Sequence, residues 1–367
     1  GPFEPIDAFM LEAQPARIAG PASGAAGFVV DHRANDAFVL VNRALKAGND
    51  VYWMQQPVQV PGGGTLPEGA FYFEGEGQRS LLAQASGDTG IPVTAVAARP
   101  GGDALKLRPI RIGLWDQYGG SMPSGWTRYI LEQFEFDYDL VFPQELTEGE
   151  LAASYDVLLF PDGAIPAGEG GGGRFGGGGP EPEEIPAEYR DRLGRVTVDG
   201  TVPNILDFAR QGGTVVTVGT STSLGFHAGL PIRDHMVDEN GRPYSREEYF
   251  TPGSVHDIKV EHVSPVTHGL GERVDVLHSH SPVFDVEEGA ENVKVLAWYD
   301  TEHPLKSGWA WGQERLQGGA SMLEADYGAG KLFLFGPKIT FRGQSHGTFK
   351  LLFNGMYYGA AQGRPVS

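Results

Sequence analysis

Cysteine is absent from all 367 residues. That excludes disulfides, thiolate metal sites and a cysteine nucleophile. It also agrees with a bacterial secreted or periplasmic protein, which is the expected localisation. Cations are scarce: 28 Lys and Arg stand against 47 Asp and Glu, a formal net charge of -19. No basic cluster offsets this balance locally, so nucleic acid and anionic membrane surfaces are not expected partners. No apolar run approaches the roughly 20 residues of a membrane span, so no membrane insertion is expected. The opening residues carry no initiating Met, and no signal peptide is expected within them. The chain opens Gly1-Pro2, which predicts a processed fragment, with the dipeptide either a tag scar or a natural proteolytic end.

Apolar residues are plentiful, at 40%, so a packed core is expected, and the length suits two or three domains. Residues 1–108 read as a small α/β domain. Phe28-Val29-Val30 predicts a strand, and Asn35 to Ala47 a helix with Phe38, Val41 and Leu45 on one face and Gly48 as its stop. Strands are predicted at Val51–Met54, Ala70–Phe73 and Val93–Ala97, and a helix at Gln78–Thr89. Pro100-Gly101-Gly102 reads as a linker.

Residues 109–367 read as the larger α/β domain. The apolar runs Ile110–Trp115, Leu140–Phe142, Val157–Phe160 and Thr214–Val218 have the composition of buried parallel strands. Helices alternate with them, one carrying Trp126, Ile130 and Phe134 at intervals of four, another over Ile205–Arg210. This alternation predicts a doubly wound, flavodoxin-like parallel sheet. A β-rich segment, 254–336, follows with strands at Ile258–Val260, Val274–Leu277, Val293–Trp298 and Leu332–Phe335. A closing helix, Gly347–Tyr358, presents Phe349, Leu352, Phe353 and Met356 on its inner face. The run Gly168–Gly179 (GEGGGGRFGGGG) reads as a flexible insertion. Ordering such a run costs much entropy, so either it is a loop or a neighbouring copy holds it. The second option makes self-association through this insertion an expectation.

Four stretches carry a likeness to known proteins: FVVDHRANDAFVLVNRALKAG near the start, IRIGLWDQYGGSMPSGWTRYILEQF from Ile110, SGWAWGQ from Ser307 and GKLFLFGPKITFRGQSHGTFKLLFNGMYYG from Gly330. Together they resemble the C-terminal region of secreted bacterial proteins of the zinc-carboxypeptidase (carboxypeptidase A-like) family. In that family a region similar to class I glutamine amidotransferases follows the peptidase domain. The resemblance spans nearly the whole chain and implies an amidotransferase-like fold. The peptidase's zinc site needs His-x-x-Glu and a distant His. None of the ten histidines here has Glu three residues on, so no metal, no cofactor and no peptidase chemistry of that kind is expected in this chain.

Gly219-Thr220-Ser221-Thr222 follows the Thr214–Val218 strand, at the place where amidotransferase-like folds turn into a nucleophilic cysteine. Ser221 is the candidate replacement. Gly219–Ser223 half-matches the G-x-S-x-G elbow, and the second glycine is missing. A serine nucleophile needs a histidine base, for which His227 and His346 are the candidates. A polar turn capping a helix explains the same residues without catalysis. Asp116 and Asp162 both end apolar strands, where open parallel sheets bind ligands, and are candidate binding residues. Asp is also a common turn former and helix cap. Pro161-Asp162-Gly163 resembles the family's proline-glycine-glycine oxyanion loop. Its Asp would put negative charge where an oxyanion forms.

His256, His262, His268, His278 and His280 are further candidates, with His278 and His280 on one strand face if the strand continues through both. No third metal ligand follows at a recognisable spacing. Trp298, Tyr299, Trp309 and Trp311 predict either edge packing or a stacking platform for sugar or peptide. Arg342 and His346 flank the last helix with no role implied. The functional expectation is a non-catalytic accessory or self-assembly region of a secreted peptidase-like protein. The alternatives are a Ser221 hydrolase and a small-ligand or glycan-binding module near Asp116 and Asp162.

Overall fold

The computed structural model of the chain describes residues 18–168 and 180–366. The stretch 169–179, on which the expectation of self-association rests, lies outside the described residues. Two compact units are present, one within residues 1–104 and 364–367 and one within 105–363.

In the first unit, four short strands pair antiparallel in the order Val93–Val96, Gly27–Val30, Phe71–Glu74, Val51–Met54. Ile18–Ala19 joins parallel to Val93–Val96. Every residue of Gly27–Val30 and Val51–Met54 is buried, which is why these runs are apolar without alternation. Helix Ala37–Lys46 buries Phe38, Val41 and Leu45 as its periodicity requires, and Gly48 closes it at φ +77°. Arg79–Thr89 is the second helix. The expected linker at Pro100–Gly102 is shorter than read, because Gly102–Lys106 is itself a strand of this sheet. At Gly102 φ is +105° and a Cβ would lie 2.7 Å from the Gln56 side chain, so the glycine serves close packing.

The second unit is built on five parallel strands. In chain order they are Ile112–Trp115, Asp139–Val141, Val157–Phe160, Thr214–Val218 and Gly330–Phe335. Their order in the sheet is second, first, third, fourth, fifth. That is the flavodoxin-like order 2-1-3-4-5, so the expected fold class holds. Helices Met122–Gln133, Pro143–Glu148, Val202–Arg210 and Phe349–Ala360 connect or follow these strands. The sheet then continues antiparallel through Ala320–Tyr327, Val293–Trp298, Ser254–Val260 and Arg273–His278.

Leu158, Phe160, Ile205, Phe208, Val215 and Leu332 belong to one buried cluster of this unit. Each such side chain taken fully from water stabilises the fold by roughly 1.5–3 kcal/mol. Phe349, Leu352, Phe353 and Met356 are buried on the closing helix, with Phe353 stacked at 5.0 Å on Phe136. Asn354 of the same helix donates to Val266 and His268 carbonyls at 2.8 and 3.0 Å, fixing a loop of the antiparallel extension. The five parallel strands all end on one rim, so the loops after Trp115, Phe160, Val218 and Phe335 share the site-bearing end of the sheet.

Candidate functional site at the strand ends

The turn after Thr214–Val218 is dictated by its first residue. Gly219 sits at φ +61°, a left-handed conformation that other residues rarely adopt. The chain then runs through one 3-10 turn, Gly219–Ser223, into a short helix, Leu224–His227. In a nucleophile elbow the residue at the sharp strand-to-helix turn carries the reacting side chain. Here that residue is Gly219. A Cβ built on it would stand 2.8 Å from Asp162 Cγ and 2.9 Å from Asp162 Cβ, with Oδ1 closer still. The space into which an elbow side chain would begin to project is filled by the Asp162 carboxylate.

Asp162 is held there from several sides. Its Oδ1 accepts from the Thr220 backbone N–H at 2.9 Å and from Thr220 Oγ1 at 3.0 Å. Lys338 Nζ, on the loop after the fifth strand, meets its Oδ2 at 2.7 Å. Burial pushes the Asp162 carboxyl up, but the Lys338 charge and the bonds from Lys338 and Thr220 outweigh it, and the group stays below its ordinary value. A loop that would cradle an oxyanion therefore holds a fixed anion of its own.

Ser221 lies two residues past the positive-φ position, within the helical turn. It is fully buried. Its hydroxyl donates to the Pro161 carbonyl at 2.5 Å and accepts from the Ala164 and Ile165 N–H groups at 2.9 and 3.2 Å. One donor and two lone pairs are the full capacity of a hydroxyl, so none is left over. No histidine is among its partners in the described residues. His227 Nε2 bonds the Pro166 carbonyl at 2.7 Å, and His346 packs its ring 4.8 Å from Phe349. Thr220 Oγ1 accepts from Gly163 N–H at 3.0 Å, and Ser223 Oγ donates to the Ile165 carbonyl at 3.2 Å. The hydroxyls of the turn thus staple it to the Pro161–Pro166 loop.

Asp116 follows the first strand and is buried. Its Oδ1 accepts from Gln117 and Ser121 N–H groups at 2.9 and 2.8 Å. Ser121 caps the helix Met122–Gln133, so Asp116 shapes the loop that leads into that helix. First and third strands are neighbours in the sheet although the second lies between them in sequence, which makes this the switch point where doubly wound folds bind ligands. Asp116 and the Pro161–Gly163 loop flank it, and Asp162 reaches from there to Thr220 and Lys338. Sequence reading singles out Asp116, Asp162 and Ser221 but not Lys338 or the role of Gly219. Lys338 carries the same signal as the two aspartates, a polar residue just past an apolar strand end (LFLFGPK).

The histidines separate. His256 and His278 sit on adjacent antiparallel strands and stack at 4.9 Å with an 11° interplanar angle, both buried. His278 bonds Tyr299 through Nδ1 and Tyr249 through Nε2, each at 2.7 Å. His280 does not share their strand face as expected: the strand ends at His278, and His280 turns outward at φ +50°. Burial lowers His256 to about 4, and burial together with the neighbouring imidazoles holds His278 well below its ordinary value. Among the described residues, no group of three or more His, Asp or Glu is placed to hold a metal ion. Of the four aromatics singled out, Tyr299 is core, Trp298 donates to Glu261 at 2.8 Å, and Trp309 and Trp311 are 52% and 55% exposed. No helix among the described residues is long and apolar enough to cross a membrane.

No family model matches the chain. No curated protein matches it either. Solved structures to which it is similar include glutamine amidotransferases and a ThuA-like protein. A GMP synthase component from Thermoplasma acidophilum is 11% identical, with a TM-score of 0.41 over 69% of this chain and 95% of that one. A glutamine amidotransferase from Thermotoga maritima is likewise 11% identical, with a TM-score of 0.41 over 68% and 99%. A ThuA-like protein from Bacteroides uniformis is 9% identical, with a TM-score of 0.39 over 68% and 91%. The fold assignment itself rests on the strand order.

Proposed function

We propose that this chain is a non-catalytic accessory module: an amidotransferase-type α/β scaffold whose elbow serves structure. The observation that carries this reading is the occupancy of the elbow, where Gly219 offers no side chain and the Asp162 carboxylate takes up the space beside it. Acyl transfer at this position would need a nucleophile, a base within hydrogen-bond reach and donors aimed at an oxyanion. Ser221 is instead buried and fully bonded, and the loop facing it presents an anion.

The parent context belongs to the same proposal. The four sequence stretches that resemble secreted zinc-carboxypeptidase family proteins support a module that accompanied such a peptidase outside the cytoplasm, and self-assembly is one service it would provide. A second reading, small-ligand binding at Asp116 and Asp162, is favoured by their place at the switch point. Against it, the Asp116 and Asp162 oxygens that bond already have partners within the protein.

The test is turnover of p-nitrophenyl esters and of glutamine by the purified chain and by its Ser221→Ala variant. The expected result is no turnover above buffer in either. Ester or amide hydrolysis that disappears in Ser221→Ala would overturn the reading.

A further inference from the structure

The segment Ser307–Gln313 (SGWAWGQ) has no role at the strand ends, yet its backbone is closely specified. Two glycines bracket its tryptophans. Gly308 lies at φ +96°, and a Cβ there would be 2.8 Å from Ser254 Cβ. Gly312 lies at φ +71°, and a Cβ there would run into the Glu248 carbonyl. Both positions demand glycine so that the loop can press against residues 248–254. An antiparallel bridge between Phe250 and Trp311, with N–H···O bonds of 3.0 Å in both directions, locks the contact.

What this fixed loop presents is aromatic. Trp309 packs at 5.7 Å against Phe250, which also meets the His280 ring at 5.5 Å. The Trp311 indole N–H is tied to the Glu247 carbonyl at 2.6 Å, which sets its orientation while the side chain stays more than half exposed. The Trp309 indole N–H has no partner among the described residues. Two indoles held rigid and left in water expose a large apolar area that packing within the unit does not explain.

One cation stands beside them. Arg246 lies over the Phe250 ring at 5.4 Å and has no carboxylate partner among the described residues. The neighbouring Glu248 carboxylate accepts from Ser245 N–H and Oγ at 3.0 and 2.9 Å. Burial lowers the pKa of His280, with smaller contributions from the Lys338 and Arg246 charges. An exposed indole ring suits the C–H face of a pyranose, an unpartnered indole N–H suits a hydroxyl, and an unpaired guanidinium suits a carboxylate.

We propose that the exposed Trp309 and Trp311 indoles, with Arg246 and His280 nearby against Phe250, bind a polysaccharide whose pyranose rings carry carboxylates. The proposal does not depend on whether the elbow is catalytic.

Affinity electrophoresis of the whole chain in gels containing polygalacturonate tests it, with hydroxyethylcellulose as the neutral polymer. A protein this acidic is repelled by a polyanion, so retardation requires a specific site. Wild type is expected to be retarded by polygalacturonate and not by the neutral polymer. Trp309→Ala and Arg246→Gln should each weaken that binding by about tenfold or more, and Trp309→Tyr should retain most of it. Circular dichroism melts matching wild type would show that the variants are folded; these side chains lie at the surface. No retardation of wild type, equal retardation by both polymers, or retardation unchanged in folded Trp309→Ala would each overturn the proposal.

Discussion

Replacing Gly219 by alanine tests the geometry of the elbow through stability. The left-handed backbone alone costs a non-glycine residue about 1–2 kcal/mol. The new Cβ would also overlap the Asp162 carboxylate, whose Cγ is 2.8 Å away, and force it from its bonds to Thr220. Losing bonds to a charged group adds about 1.5–3 kcal/mol. The sum is about 2.5–5 kcal/mol, or a fall in Tm of roughly 10 °C for a unit of this size. Urea unfolding followed by tryptophan fluorescence reads it directly. The steric part disappears when Asp162 is also removed, so Gly219→Ala made in an Asp162→Gly background should cost only the backbone share. The double-mutant cycle should therefore show about 2 kcal/mol of coupling. Coupling below about 0.5 kcal/mol, or Gly219→Ala as stable as wild type, would refute the claim that Asp162 fills the elbow.

Three further outcomes follow from the same structure. Ser221→Ala leaves the Ala164 and Ile165 N–H groups buried without their acceptor, and should lower stability by about 1–3 kcal/mol, read by the same unfolding curves. His256 is buried neutral, with its pKa lowered from 6.5 to about 4, so the unfolded chain binds more protons between those values. Its contribution is thus fully present above pH 6.5 and is lost as pH falls toward 4, and the wild-type loss of Tm across that window should shrink in His256→Gln. Lys331→Met removes one of two lysines that meet Glu324, a carboxylate only 1% exposed, and should cost about 3 kcal/mol by thermal melt.

Much of the scaffold is readable from composition because it is buried on both faces. Val157–Phe160 is an unbroken apolar run and Thr214–Val218 is all valine and threonine, and the structure places both as interior parallel strands with those bounds. Ala320–Tyr327 gives no such signal. Its sequence ASMLEADY carries Glu324 in the middle, and nothing local tells that Lys294, Lys331 and Ser264 surround that carboxylate. Helix Val202–Arg210 starts three residues before the expected Ile205, because Pro203 is tolerated in a first turn.

At the candidate site, residue types are legible and their backbone is not. G-T-S-T-S draws attention to the serine, whereas the decisive quantity is the φ of Gly219. The pairing of Asp162 with Lys338 joins residues far apart in sequence and requires the fold. So does the parting of His278 and His280, since the strand ends between them.

The central claim is that no reactive nucleophile stands at the elbow. Incubation of the native chain with a fluorophosphonate, followed by intact-protein mass spectrometry and peptide mapping, tests it most directly. The account predicts an unmodified mass, since Ser221 is buried and its hydroxyl is bonded to Pro161, Ala164 and Ile165. A stoichiometric adduct mapped to Ser221 would contradict it.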